Sequence, residues 1–169
     1  MHHNQKTRWL PAALAGLGLA GCTTPEGPAP SATPTFYHRL DQGGRLDEEA
    51  AVSMINAYRA KNGLGPLALD PELVAEARRR AATVADNDTL TWGETPNVGV
   101  QKASVGGRSE RVSAGYRTLA EAFSGWRDSP PHNRVLLAPS GGRLGIAAVD
   151  RPGAKYRVYW DIIVSSGPS

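Results

Sequence analysis

The chain has 169 residues, 40% of them hydrophobic and 21% charged, with a formal net charge of +3 and one cysteine. One cysteine excludes an internal disulfide, so the fold must rest on an apolar core. The charge is too small to point to nucleic acid, the more so because residues 1–21 carry Lys6 and Arg8 and no acid, so that +3 falls to +1 without them.

Those first residues have the layout of a signal peptide, and the expected organisation is a lipoprotein signal over 1–21, a cysteine and tether over 22–35, and one domain over 36–169. His2, His3, Lys6 and Arg8 form a basic start, and Leu10 to Leu19 an apolar run too short to span a bilayer stably. Leu19-Ala20-Gly21-Cys22 follows and resembles the bacterial lipobox, in which the cysteine is acylated and becomes the mature N-terminus. The other reading is an ordinary secretory signal with a stray cysteine. Several acyl chains on Cys22 would give stable anchoring where one is marginal. Residues 23–35 are rich in Pro, Thr and Ala and nearly uncharged, the composition of an extended spacer. Thr23 stands where an inner-membrane retention signal would place aspartate, which by resemblance to enterobacterial sorting favours the outer membrane over the inner.

Within the domain, Asp47 to Lys61 is expected to be helical, with acids in its first turn, Ala51, Met54, Ile55 and Tyr58 at helical spacing, and Asn62-Gly63 as its stop. An extended stretch, Leu64 to Leu69, leads to Asp70-Pro71, an N-cap with proline at the first helical position. The helix that follows runs to about Asp86, with Leu73, Ala77, Ala81 and Val84 on one stripe. Its Arg78-Arg79-Arg80 run is the one basic cluster of the domain and reads as a solvated face. Residues 89–115 are Gly-rich and hold one short strand candidate, Asn97 to Gln101. Thr118 and Glu121 have capping-box spacing ahead of Leu119, Ala122, Phe123 and Trp126. Ser129-Pro130-Pro131 caps and starts a fourth short helix carrying His132, Val135 and Leu136. Leu144 to Val149 and Lys155 to Val164 are expected to pair as an antiparallel hairpin around Pro152-Gly153. The second strand alternates, with Tyr156, Val158, Trp160 and Ile162 on the apolar face and Lys155, Arg157, Tyr159 and Asp161 on the other. Helices must cover the apolar face, so the fold class is α+β in layers.

Asn56-Ala57-Tyr58-Arg59, Gly63-Leu64, Asp70-Pro71-Glu72-Leu73, Glu110-Arg111-Val112, Trp126, Ser129-Pro130-Pro131-His132 and Gly145 stand in an order and spacing that resembles the CAP superfamily. This group comprises cysteine-rich secretory proteins, antigen 5 and pathogenesis-related proteins, and the resemblance, to its shorter bacterial form, covers about residues 48–163. It implies an α-β-α sandwich with a C-terminal antiparallel hairpin. Full members carry two histidines and two glutamates around a central cleft, sometimes with a divalent metal. By resemblance, Glu110 matches the glutamate of the family's Glu-Asn-Val/Ile motif, with Arg111 in place of asparagine, and His132 matches the histidine of Ser-Pro-Gly-His, with Pro131 in place of glycine. Trp92 stands where another histidine is usual, so a cleft of Glu110, His132 and Trp92 is expected without metal or cofactor. Against that, His132 could be a helix-start residue whose ring bonds nearby backbone, and Glu110 an acceptor for loop N–H groups.

These features point first to a membrane-anchored, non-catalytic module of the bacterial envelope that meets a lipid, a peptidoglycan fragment or another protein. The alternative is a hydrolase with His132 as general base and Glu110 to orient it, which would also need a nucleophile or a metal-bound water. Ser129 is expected to serve as a helix cap rather than as that nucleophile.

Overall fold

Helix α1, Glu48–Lys61, starts where Asp47 accepts a hydrogen bond from the Ala50 N–H, with Glu48 and Glu49 at the positive end of the helix dipole. In this computed structural model, which describes residues 33–87, 107–139 and 142–166, two 3-10 turns, Thr35–Tyr37 and Leu40–Gln42, precede it. The chain continues through strand β1, Ala68–Leu69, helix α2, Pro71–Asn87, strand β2, Arg108–Ala114, helices α3, Leu119–Asp128, and α4, Pro130–Leu136, then strands β3, Arg143–Asp150, and β4, Val158–Ser165. Among the described residues no helix is long and apolar enough to cross a membrane.

The four strands form one sheet in the order β1-β3-β4-β2. Strand β4 is central, antiparallel to β3 with Leu144 opposite Val164 and to β2 with Val112 opposite Asp161, while the two residues of β1 run parallel to the start of β3. Helix α2 covers one face, where its small residues Ala77 and Ala81 meet a surface that includes Ala147, Ile163, Val112 and Tyr159. Gly145 has a specific reason on this face: a Cβ there would collide with the backbone of Leu73, so its absence lets α2 lie directly on β3. Helices α1, α3 and α4 cover the opposite face, over Leu144, Ile146, Val158, Trp160, Ile162 and Val164. The result is an α-β-α sandwich of the α+β class.

Three sequence expectations need correcting. Strand β2 was not foreseen, since 108–114 falls in a stretch read as irregular; the strand candidate 97–101 lies outside the described residues. Strand β4 begins at Val158 rather than Lys155, because Tyr156 and Arg157 still belong to the turn, Arg157 with a left-handed φ of 64°. Both faces of β4 are buried, so Asp161, placed by alternation opposite the apolar face, is sealed under α2 at 0% exposure.

The segment Asn56 to Arg59 ties α1 to α4 and to the stretch before β1 within one layer. Asn56 exchanges two hydrogen bonds with the Leu67 backbone at 2.8 and 2.9 Å, and Tyr58 donates to Asn133 at 3.0 Å. Arg59 is 1% exposed and donates to the carbonyls of Gly65, Leu136 and Ala138 at 2.8 to 3.0 Å. A buried cation needs such partners, and here all three are backbone acceptors.

Candidate functional site

Helix α3 is set by the expected capping box: Thr118 accepts from the Glu121 N–H and Glu121 accepts from the Thr118 N–H. Its far end delivers Trp126, whose indole N–H donates to Ser113 on β2 at 2.8 Å, and the chain then turns into α4 at Ser129. Ser129 occupies the N-cap position, but its side chain does not cap. Pro130 and Pro131 remove the first two N–H groups of the helix, and the hydroxyl instead lies 3.0 Å from His132 Nδ1. The cap expected of Ser129 is thus a backbone cap only.

The other ring nitrogen of His132, Nε2, lies 3.3 Å from the Val112 carbonyl oxygen. A carbonyl can only accept, so Nε2 carries the proton, and in the neutral ring Nδ1 accepts from Ser129. Burial holds the ring pKa below the ordinary 6.5; the bond to Val112 acts against this and the nearby Arg111 guanidinium reinforces it. By the resemblance Arg111 stands where asparagine is usual, and it sets a cation beside the histidine.

Glu110 points the other way. Side chains alternate along β2, and Arg108, Glu110 and Val112 face α2, whereas Ser113 faces Trp126 on the opposite side. The Glu110 carboxylate accepts from Arg80 Nε at 2.9 Å and from Arg108 Nη2 at 2.9 Å, and Arg108 also binds Glu76 at 2.8 and 3.0 Å. For the cleft expected of Glu110 and His132, the structure gives the two residues different partners: Glu110 meets Arg80 and Arg108 on the α2 side, and the His132 ring meets Ser129 and the Val112 carbonyl. The solvated-face reading of the Arg78 to Arg80 run is corrected at Arg80, which is partly buried against Glu110. Trp92 and Cys22 lie outside the described residues.

Sequence reading missed Asp161. Its two carboxylate oxygens are buried on the α2 face near Glu110, and among the described residues only the neighbouring Ile162 N–H approaches them, too poorly placed for a full hydrogen bond. Burial raises its pKa well above the usual aspartate value and the neighbouring Glu110 raises it further, while Arg80 and Arg108 pull only partly against them. The one signal for it was its alternation with Tyr159 and Ile163, two residues too apolar for a solvated face. Among the described residues no group of three or more His, Cys, Asp or Glu side chains is arranged to hold a metal ion.

The family model of the cysteine-rich secretory protein family, CAP, matches residues 52–164. The chain belongs to the CAP family. It is 27% identical over 112 residues to the uncharacterised protein YkwD of Bacillus subtilis, an alignment covering 61% of this chain and 42% of YkwD, so the chain spans less than half of that relative's length. Two solved structures share the fold. An outer surface protein from Borrelia burgdorferi superposes with a TM-score of 0.56 at 21% identity, over 72% of this chain and 93% of that one. An extracellular protein containing a SCP domain from Bacillus anthracis gives 0.53 at 21% identity, over 69% and 39%. In this CAP domain Glu110 ties β2 to α2 through Arg80, and His132 ties α4 to the Val112 carbonyl of β2.

Proposed function

We propose that this CAP domain is a non-catalytic binding module, tethered to the bacterial cell envelope through lipidated Cys22. The observation that carries the non-catalytic reading is the commitment of the two motif residues. Glu110 neutralises Arg80 and Arg108, and His132 is held between Ser129 and the Val112 carbonyl. A general base needs its acceptor nitrogen open to a substrate proton, and a carboxylate that orients such a base must reach it. Neither condition is met by this pair. Anchoring rests on the Leu19-Ala20-Gly21-Cys22 run and the Pro-rich spacer after it, with the outer membrane favoured. The ligand would be met at the envelope surface, as a lipid, a cell-wall fragment or another protein.

One observation favours the hydrolase reading: the 3.0 Å approach of the Ser129 hydroxyl to His132 Nδ1. Asp128, the nearest acid in sequence, is exposed and paired with Arg127 at 3.2 Å, so it does not complete a triad. A fluorophosphonate probe separates the two readings. Labelling of Ser129 that disappears in His132→Gln would establish the hydrolase; no labelling of the folded protein is expected. For the anchor, wild type should incorporate labelled palmitate and sediment with membranes, and Cys22→Ser should do neither. A serine variant that still sediments would sink the anchor.

A further inference from the structure

Beside the outer edge of β3 lies a cavity of about 230 Å³, away from both Glu110 and His132. Its lining comes from the loop before α1, the start of α1, the middle of α2 and the end of β3, through Arg45, Glu48, Arg78, Ala148 and Asp150 among others.

Ion pairs fix these walls. Glu48 of α1 and Arg78 of α2 meet at 3.2 Å, joining helices that lie on opposite faces of the sheet, so the pair closes round the β3 edge. Arg157 binds both carboxylate oxygens of Asp150, at 2.8 and 3.2 Å, and the Asp41 carbonyl at 2.8 Å, which ties the loop to the hairpin. Arg157 does this from a left-handed backbone, φ 64°, that is costly for a non-glycine residue, so the surrounding contacts must offset it.

The β3 edge contributes unused backbone groups. The Leu144 carbonyl accepts from the Asp70 N–H on the β1 side, so by alternation Ile146, Ala148 and Asp150 also direct their N–H and C=O groups away from β4. Strand β1 pairs with Arg143 and Leu144, and among the described residues no strand pairs with the remainder of that edge. The lining acids are already matched, Glu48 by Arg78 and Asp150 by Arg157. Arg45, an exposed residue of the lining, has no hydrogen bond or ion pair with any described residue.

We propose that this cavity binds the C-terminal residue of a peptide. Its carboxylate pairs with Arg45 and its amide meets the free backbone of Ala148 and Asp150 as one residue of an added strand. The size agrees, being below the roughly 300–1,000 Å³ of pockets for drug-sized ligands. The Glu48–Arg78 pair blocks a strand from running on along the edge, which selects a chain end over an internal segment. This names a ligand class for the binding module proposed above and rests on that reading.

The test is titration of the full ¹⁵N-labelled chain with N-acetylalanine of either hand, with N-acetylalanine methyl ester, and with inorganic phosphate, followed by amide shifts. Saturable shifts confined to residues 44–48 and 146–150 are expected with at least one enantiomer of the acid. The ester should leave these amides unmoved, and Arg45→Gln, at an exposed position, should weaken binding at least fivefold, whereas Arg127→Gln should not. Equal shifts with ester and acid, or binding unaffected by Arg45→Gln, would overturn the site. Saturation by phosphate at the same concentration as the acid would reduce it to an unspecific anion site and overturn the peptide assignment. Saturable shifts elsewhere on the domain would reject this site yet keep the binding module, whereas Ser129 labelling by the fluorophosphonate would reject the module itself.

Discussion

On the α2 face of the sheet, buried polar atoms are balanced by charge; on the opposite face they are balanced by backbone carbonyls and hydroxyls. Glu76, Arg80, Arg108 and Glu110 form a chain of ion pairs between α2 and β2. Across the strand, Trp126 donates to Ser113, Trp160 to the Tyr116 carbonyl, His132 to the Val112 carbonyl and Arg59 to three more carbonyls. The second solution sets Trp126 and Trp160 edge to face at 5.5 Å and leaves Arg111 Nε buried without a partner among the described residues. The first leaves Asp161 buried without a well-formed hydrogen bond to either oxygen among the described residues. Charge pairing is efficient only where every member has its counterpart, and with two arginines to three acids this face is one cation short unless Asp161 holds a proton.

The largest effect should come from breaking the charged face. Glu110→Gln removes one negative charge from two arginines and is expected to cost about 1–3 kcal/mol in urea unfolding, less than a fully buried pair because both guanidinium groups reach solvent. Arg80→Met in the same background should cost little more, since its partner is already gone. Full additivity of the two would mean that the pair does not hold α2 to the sheet.

A second prediction sharpens the comparison through Asp161. Its folded pKa is raised, so between the usual aspartate value and that raised value the folded state binds more protons than the unfolded chain. Stability contributed here is present at low pH and lost as pH rises through that window. Asp161→Asn should therefore match wild type near pH 4 and become progressively the more stable of the two towards pH 8. A stability difference that stays flat across that range would show that Asp161 is not protonated in the fold.

The two faces were unequally legible in the sequence. Helices α1, α2 and α3, and the hairpin, followed from periodicity and caps, because each presents a regular apolar stripe to the sheet; Ser-Pro-Pro marked the start of α4. Strand β2 was missed because its alternation, Arg108, Glu110 and Val112 against Ser109, Arg111 and Ser113, contrasts charge with polarity rather than apolar with polar. A strand with Glu110 at its centre reads as a loop until Arg80 and Arg108 are known to meet it. Asp161 was hidden for a related reason: alternation locates it on the second face of β4 but cannot show that alanine-rich α2 covers that face. As for the candidate site, the resemblance singled out Glu110 and His132, and a linear string could not show that Glu110 is taken up by Arg80 and Arg108 while His132 meets Ser129 and the Val112 carbonyl.

The smallest expected effect, and the most direct check on those separate partners, is the titration of His132. Its pKa is lowered, first by burial, so as pH falls below 6.5 the unfolded chain takes up a proton before the folded state does. The sign is opposite to that of Asp161: stability is fully present above about pH 6.5 and is lost as pH falls through the lowered folded value. Because Glu110 is bound to Arg80 and Arg108, its charge should contribute little at the ring. In an NMR titration the His132 pKa should remain below 6.5 and stay nearly unchanged in Glu110→Gln. In Arg111→Met it should rise, since that guanidinium is the charge that opposes protonation on the same side. A His132 value that drops in Glu110→Gln would mean that the carboxylate does stabilise the imidazolium, returning the two residues to one site and ending the contrast between the faces.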